Sequence, residues 1–220
     1  MRRKAFILIL LTTLAVAGWR LRPCRVEFTN LPPRATGPWV AFGDSLTVGF
    51  GATEAHDYPT LLGQRLGVGI TNLGVNGNTT VDGLQRVEDV ARLNPRVVLL
   101  CLGGNDGLQQ MPRAQMFANL ATITRRLQAD GSFVVLLGVR STTLRDKNSK
   151  PFEELARAMK TLLVPNILDG LLTDPRLMAD QIHPNDQGYA RIAERVEQAL
   201  LPVLTKLQAA TETNAVRSAP

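Results

Sequence analysis

Two kinds of hydrophobic pattern alternate along this chain. Short, almost uninterrupted apolar runs fall at residues 96–102 and 133–139, and such runs are typical of strands buried on both faces. Between them lie longer stretches with one apolar face, as at positions 81, 84, 87 and 90, which is the spacing of an amphipathic helix. The alternation predicts βαβ units and a parallel sheet.

The sequence contains no internal repeat and no sign of a second domain, so these elements are assigned to one α/β domain. The predicted strands cover residues 39–42, 69–73, 96–102, 133–139 and, as a short candidate, 167–168. The predicted helices cover residues 57–66, 81–93, 113–129, 151–163 and 185–207. Pro202 is a candidate bend in the last helix, because proline cannot donate a helical hydrogen bond.

Four loops are expected to meet at one edge of this sheet. Three of them contain glycine and follow the first three predicted strands, at residues 43–45, 74–79 and 103–106. The fourth contains Asp180 and His183 and precedes the last predicted helix. Since ligands of such sheets bind beyond the carboxyl ends of the strands, the four loops are the candidate functional region.

Ser45, Asp180 and His183 supply the three groups that nucleophilic ester cleavage requires. These are a hydroxyl, an imidazole to take its proton and a carboxylate to fix the imidazole tautomer. Ser45 follows a strand and a glycine, where its hydroxyl can stand exposed; the alternative is a serine that caps a helix. Asp180 lies three residues before His183, close enough in a turn to reach Nδ1; the alternative is a surface acid beside a packed histidine. His56, the other histidine, lies in a polar segment and is interpreted as solvated.

A tetrahedral intermediate also needs hydrogen-bond donors for its oxyanion. The candidates are the backbone N–H groups of Ser45 and Gly77 and the side-chain amide of Asn105. Glycine permits close approach of the backbone. A plain turn is the alternative for Gly77, and Gly74 competes for its role. An Asx turn is the alternative for Asn105.

The four loops resemble the four sequence blocks of the SGNH (GDSL-type) hydrolases. The matching segments are Gly43-Asp44-Ser45-Leu46, Gly77-Asn78-Thr79, Gly104-Asn105-Asp106 and Asp180-x-x-His183. The resemblance extends from about Trp39 to about Val203. It is greatest to the bacterial secreted thioesterase/lysophospholipase and arylesterase-like enzymes.

This resemblance implies a flavodoxin-like, three-layer α/β/α sandwich with a parallel five-stranded sheet. It implies Ser45 as nucleophile, His183 as base and Asp180 as the group that orients the base. It further implies that Ser45, Gly77 and Asn105 form an oxyanion hole, that an acyl-enzyme forms on Ser45, and that no metal or cofactor takes part. The expected substrates are small-molecule acyl esters or thioesters.

The segment after the fourth predicted strand departs from that branch of the family. Residues 139–147 are polar and cationic, where a loop with proline, asparagine and tyrosine is common. Gln109-Gln110 also replaces a basic and a small residue. Arg140, Arg145 and Lys147 are candidates for contact with an anionic head group or a sugar, and a solvated loop is the alternative. This polar segment makes a carbohydrate O-deacetylase an alternative hypothesis. A non-catalytic envelope binding protein is a further alternative, because a fold does not fix a function.

The net charge of +6 is a property of the N-terminus. Six of the 25 basic residues lie in residues 1–25, which hold no acid, so the remainder carries 19 basic and 19 acidic side chains. A neutral body argues against a nucleic-acid partner. Residues 2–4 are cationic and residues 5–18 mostly apolar, which predicts export through a signal peptide or an N-terminal membrane anchor over residues 1–25.

The resulting domain prediction is a targeting segment at 1–25, a hydrolase domain at 36–208 and a disordered tail at 209–220. The protein is expected to be periplasmic or secreted, or associated with a membrane through residues 5–19. Cys24 and Cys101 are the two cysteines of the chain. Cys101 lies in an apolar run and is interpreted as a buried small hydrophobe; a disulfide is the alternative.

Overall fold

The computed structural model describes residues 27–140 and 146–208. The predicted targeting segment, Arg145 and the predicted tail lie outside the described residues, and these predictions stay predictions. Within the described ranges, no helix is long and apolar enough to cross a membrane. Residues 27–35 precede the predicted start of the domain but pack against it: the ring of Phe28 meets that of Phe133 edge-on at 6.0 Å.

The described residues form one parallel five-stranded sheet flanked by helices, which confirms the expected fold. The strands are β1 (Trp39–Gly43), β2 (Ile70–Gly74), β3 (Val97–Cys101), β4 (Phe133–Leu137) and β5 (Leu162–Val164), in the spatial order β2-β1-β3-β4-β5. The helices are α1 (Ser45–Val48), α2 (Tyr58–Leu66), α3 (Thr80–Arg92), α4 (Gly104–Leu108), α5 (Arg113–Ala129), α6 (Ser149–Met159) and α7 (Asp186–Leu200).

Alternating side chains of the strands divide the core between the two faces of the sheet. On one face, Leu99 of β3 packs in a cluster with residues of α2 and α7, among them Tyr58 and Tyr189. On the other face, Leu100 belongs to a cluster with residues of α3, α5 and α6. All five residues of β1, β3 and β4 are buried, as expected for strands covered on both sides. The result is a three-layer α/β/α sandwich.

The register of the sheet brings three loops to the same level. Gly43, the last residue of β1, pairs with Gly74 of β2 on one side and with Cys101 of β3 on the other. A Cβ on Gly43 would stand 2.5 Å from the Cys101 carbonyl oxygen, so only glycine fits there. The loops that follow β1, β2 and β3 therefore leave the sheet side by side, as the sequence predicts.

The fifth strand was wrongly placed. Helix α6 ends at Met159 because Lys160 adopts a left-handed conformation (φ 50°), and the apolar residues that follow, Leu162–Val164, pair with β4 as β5. Ile167-Leu168, the predicted strand, is buried in the turns beyond β5. The predicted helix over 151–163 thus merged the end of a helix with a strand.

The last helix is also shorter than predicted. α7 ends at Leu200, a turn over 201–203 contains Pro202, and residues 204–208 are helical again. Cys101 is a free, fully buried thiol at the end of β3, in agreement with its interpretation as a core residue. Cys24 lies outside the described residues.

Candidate active site

Ser45 stands at the junction of β1 and α1. It is the first residue of α1, and Asp44 caps that helix by accepting a hydrogen bond from the N–H of Leu46 (3.0 Å). The helix ends after one turn at Gly49, whose φ of 85° is left-handed. Ser45 is 9% exposed, and it lines the cleft described below.

A chain of hydrogen bonds joins Ser45, His183 and Asp180. Nε2 of His183 lies 3.0 Å from Oγ of Ser45, and Nδ1 of the same ring lies 2.7 Å from Oδ2 of Asp180. The structure therefore brings together the three residues that the sequence selects, although 138 positions separate Ser45 from His183.

Local contacts hold the His183 ring in place. The Asp180 Oδ1 atom accepts hydrogen bonds from the N–H groups of Ile182 (2.8 Å) and His183 (2.7 Å), which closes a tight turn. The ring of Phe50 lies against the His183 ring, with 4.6 Å between centroids. The hydrogen bond from the imidazole, followed by that from Ile182, lowers the pKa of Asp180 to about 2. Asp180 is thus a permanently ionised partner for Nδ1 at neutral pH.

The candidate oxyanion donors come from three neighbouring loops. The N–H groups of Ser45 and Gly77 have no acceptor within the described residues, and Gly77 has a left-handed φ of 76°. The N–H of Gly74, the competing glycine, already donates to Oδ1 of Asn72 (2.9 Å). Gly77 is therefore the freer of the two donors.

Asn105 connects two of these loops. Its Nδ2 donates to the backbone carbonyl of Asn78 (2.9 Å), which leaves the second hydrogen of the amide for another acceptor. Arg86 holds the same loop from the other side: it donates to Oδ1 of Asn78 and to the carbonyl of Leu73 (2.6 Å). Arg86 could not be predicted from the sequence, because its contacts join α3 to β2 and to the loop that follows β2.

Asp106 ties the loop after β3 to the start of α3. It is 1% exposed and accepts two hydrogen bonds from Thr80, from the backbone N–H (2.9 Å) and from Oγ1 (2.5 Å). Thr80 opens α3 directly after the loop that contains Gly77. A buried carboxylate between two loops of the site is a positioning element. In the sequence, the only indication of this role for Asp106 was its position next to Asn105.

Asp44 is the second buried carboxyl of the site and was also missed as a functional group. It is 2% exposed, and burial raises its pKa to about 7 against the opposing effect of its backbone hydrogen bonds; the nearby Asp106 carboxylate adds to the rise. Asp44 therefore titrates near neutral pH directly beside the candidate nucleophile.

Ser45 and His183 open onto a cleft of about 230 Å³. Asn105 also lines this cleft, while Gly77 and His56 do not. Most of the remaining wall is apolar and comes from the segments that follow β3, β4 and β5, including α4 and the start of α5: Leu108, Met111, Met116, Val139, Leu168, Leu172 and Ile182. His56 is exposed and bonded to Thr53 and Glu54, in agreement with its interpretation as solvated. Within the described residues, no cluster of His, Cys, Asp or Glu side chains is arranged to hold a metal ion.

Comparison with known proteins gives matches over most of the chain. The sequence profile of the GDSL-like lipase/acylhydrolase family matches residues 41–191. The Esterase TesA of Pseudomonas aeruginosa is 33% identical over 174 residues, which cover 74% of this chain and 87% of that protein. The Arylesterase of Vibrio mimicus is 29% identical over 180 residues, with coverage of 76% and 90%.

Solved structures agree with these matches. The crystal structure of TesA superposes with a TM-score of 0.71 at 32% identity and covers 75% of this chain and 98% of that one. The structure of AlinE4, an SGNH-hydrolase family esterase, has a TM-score of 0.60 at 31% identity, with coverage of 82% and 95%. The chain therefore belongs to the GDSL-like lipase/acylhydrolase family and is a hydrolase of the SGNH type.

Proposed function

We propose that this protein is a serine esterase that hydrolyses acyl esters or thioesters through an acyl-enzyme on Ser45. The observation that carries the proposal is the continuous hydrogen-bond chain from Ser45 Oγ through His183 to Asp180, with links of 3.0 and 2.7 Å. The names of the relatives, an esterase and an arylesterase, support the same class of reaction.

In the acylation step, Ser45 attacks the carbonyl carbon of the substrate. Oγ forms the new bond while its proton passes to Nε2 of His183, which lies within hydrogen-bond reach. The imidazolium that results is stabilised by the ionised Asp180 at Nδ1. When the tetrahedral intermediate collapses, the bond to the alcohol or thiol breaks and the leaving group takes the proton from Nε2.

The negative charge that develops on the carbonyl oxygen is stabilised by three donors. They are the N–H of Ser45, the N–H of Gly77 and the second amide hydrogen of Asn105. Two of them have no acceptor in the described structure, and the third is oriented by its bond to Asn78. Donors that are fixed before the reaction need no reorganisation when the charge appears, which is the main source of their effect on rate.

Deacylation repeats these steps with water. His183 takes a proton from a water molecule, whose oxygen attacks the acyl carbon. The bond from carbon to Ser45 Oγ then breaks, and Oγ recovers the proton from Nε2. The acid is released and the enzyme returns to its starting state, so the cycle consumes only ester and water.

The cleft supports an acyl group longer than acetate. Its wall includes Met116, Val139 and Leu168, all buried. Each methylene group of an acyl chain that is buried against this wall stabilises the bound substrate by about 0.8 kcal/mol. A carbohydrate O-deacetylase would leave this apolar wall unused. It remains the alternative hypothesis because polar side chains, among them Arg140 and Lys147, line the same cleft.

Hydrolysis of a p-nitrophenyl ester series from acetate to palmitate tests the proposal, with protein that lacks residues 1–25 and with Ser45→Ala alongside. Serine-dependent turnover that peaks at medium or long chains is the expected result. Turnover confined to acetate would favour the deacetylase. Full turnover by Ser45→Ala would refute the assigned nucleophile, and no turnover together with no labelling by a fluorophosphonate would favour a binding protein.

Export is part of the same proposal. The cationic residues 2–4 and the apolar residues 5–18 support delivery across a membrane, and retention through residues 5–19 is the alternative to cleavage. Mass determination of the N-terminus after expression with the full sequence distinguishes the two. A chain that keeps its N-terminus and stays in the cytoplasmic fraction would refute export.

A further inference from the structure

Three cationic side chains line the cleft that contains Ser45 and His183. They are Arg113, Arg140 and Lys147. The carboxyl in the same lining is that of Asp44, which is buried and so is kept from full ionisation at neutral pH. The cleft therefore combines an apolar wall with an excess of positive charge, whereas the body of the protein as a whole is neutral.

Ion pairs within the protein do not explain why these three cations line the cleft. Within the described ranges, Arg113 and Lys147 make no ion pair, and Arg140, half exposed, lies 3.9 Å from Asp146. Elsewhere on the surface arginines are held more closely, as Arg126 is by Glu88 at 2.7 Å. The charges of Arg113 and Lys147 are thus open to a ligand, while Arg140 keeps its long contact with Asp146.

Helix stability does not explain Arg113 either. It is the first residue of α5, which has no acid in its first turn. A cation at the start of a helix is disfavoured by the helix dipole. By contrast, α3 and α7 each begin with an acid in the first turn, Asp82 and Asp186. Arg113 therefore occupies a position where an acid would stabilise the helix. What Arg113 adds is a positive charge in the cleft lining.

The apolar and the cationic side chains lie in different parts of the cleft. Met116, Val139 and Leu168 are buried, while Arg113, Arg140 and Lys147 are exposed. A substrate that fits both would place methylene groups on the buried wall and an anionic group at the rim. Charge-assisted hydrogen bonds from arginine and lysine to carboxylate or phosphate are among the stronger polar contacts.

We propose that Arg113, Arg140 and Lys147 form an anion-recognition subsite that selects esters with a carboxylate or phosphate group some bonds away from the scissile carbonyl. This inference rests on the proposed esterase function and names its preferred substrate class. The anionic group belongs either to the far end of the acyl chain or to the leaving group. Both present the same chemistry to the cations, and the substrates of the test distinguish them.

Three chromogenic esters of the same acyl length form the test. The first is p-nitrophenyl octanoate, which is neutral. The second is the mono-p-nitrophenyl ester of suberic acid, which ends its acyl chain in a carboxylate. The third is the octanoyl ester of a hydroxynitrobenzoic acid, which places the carboxylate on the leaving group. The quantity compared is the ratio of kcat/KM for each anionic ester to that for the neutral ester.

The double variant Arg113→Gln/Lys147→Gln is expected to lower one of these ratios roughly tenfold, as two partly exposed charge contacts would. Raising the ionic strength is expected to lower the same ratio in the unmodified protein and not in the variant. Lys150→Gln/Arg157→Gln is the matched control: it also removes two positive charges, but both residues are exposed on α6 and lie outside the cleft lining. The exchange Arg113→Lys/Lys147→Arg is expected to restore most of the ratio.

Equal ratios in the unmodified protein, the double variant and the control would overturn the subsite while hydrolysis of the neutral ester continued. A ratio that falls equally in the control would show a general effect of net charge and would also overturn it. If the unmodified protein hydrolysed none of the three esters and reacted with no fluorophosphonate, the esterase proposal itself would fail. The two failures are therefore distinguishable.

Discussion

The side-chain amide of Asn105 donates to the backbone carbonyl of Asn78 across a distance of 2.9 Å. This bond joins the loop after β3 to the loop after β2 and fixes which way the amide faces. Since one hydrogen of the amide is used in this way, the other is directed and cannot rotate freely. A donor to an oxyanion must be oriented before the charge appears, and the bond to Asn78 orients the Asn105 amide in this way.

Asn105→Ala is predicted to lower kcat by about 10²–10³-fold, because it removes one prefixed donor to the oxyanion. KM is expected to change little, since the ground-state ester gains less from that donor than the tetrahedral intermediate does. Steady-state kinetics with a medium-chain p-nitrophenyl ester measure both constants. A rise in KM at unchanged kcat would place Asn105 in substrate binding instead.

Asp180→Asn is predicted to lower kcat by roughly 10³–10⁴-fold while the protein stays folded. The amide oxygen can still accept from the N–H groups of Ile182 and His183, but an amide at the Oδ2 position no longer fixes the imidazole tautomer. Asp174→Asn is the control, since Asp174 pairs with Arg176 at the short 3₁₀ helix Pro175–Leu177 and does not line the cleft. Comparable losses in both variants would argue that the effect is structural.

Gly51→Ala is predicted to lower kcat roughly tenfold to a hundredfold by displacing the loop that carries His183. A Cβ at Gly51 would stand 2.7 Å from Cβ of Ala179 and 2.8 Å from the carbonyl oxygen of Pro184, the neighbour of His183. Gly170→Ala is a matched control. It has a similar left-handed φ, 73° against 91°, but nothing lies within 4 Å of its added Cβ.

Both alanine variants are expected to lose about 1–2 kcal/mol of unfolding free energy from backbone strain, as measured by urea denaturation. Only Gly51→Ala is expected to lose activity beyond that. Normal kcat in Gly51→Ala would show that the His183 loop absorbs the shift without moving the imidazole.

Asp44 predicts a pH dependence of stability. Its folded-state pKa is raised from 3.8 to about 7, so between these values the folded state keeps a proton that the unfolded state has released. Stability must then fall as the pH rises through this window and level off above it. Asp44→Asn, which still caps α1 but does not ionise, is expected to lack this fall.

Urea unfolding of both proteins at about pH 4 and pH 8 measures the difference, which is expected to amount to a few kcal/mol. The window does not overlap that of Asp180. The lowered pKa of Asp180 contributes stability that is present above about pH 4 and lost as the pH falls towards 2. Identical pH profiles for the two proteins would contradict a buried, raised Asp44.

The sequence was most informative where a local pattern decides the structure. Continuous apolar runs located β3 and β4, and the motif around Ser45 and the Asp180/His183 pair located the hydrogen-bond chain. It failed at β5, because the stop at Lys160 depends on a left-handed residue that periodicity does not detect. It also missed Arg86 and the role of Asp106, since their contacts join segments that only the folded sheet brings together.

The sequence also did not show how tertiary packing buries individual side chains. Asp44 belongs to the motif that identified Ser45, but its raised pKa follows from the packing of β1, α1 and the loop after β3 around it. The cationic lining of the cleft had a partial signal in Arg140 and Lys147. Arg113 had none, because its place in the cleft depends on where α5 begins relative to β4.

The first measurement to make is the rate and site of fluorophosphonate labelling, followed by intact mass and peptide mapping, for the unmodified protein and for His183→Ala. We predict one adduct per chain, on Ser45, formed much more slowly in His183→Ala because the hydroxyl has lost its base. An adduct on another residue, or equal labelling rates in the two proteins, would contradict a Ser45 nucleophile activated by His183.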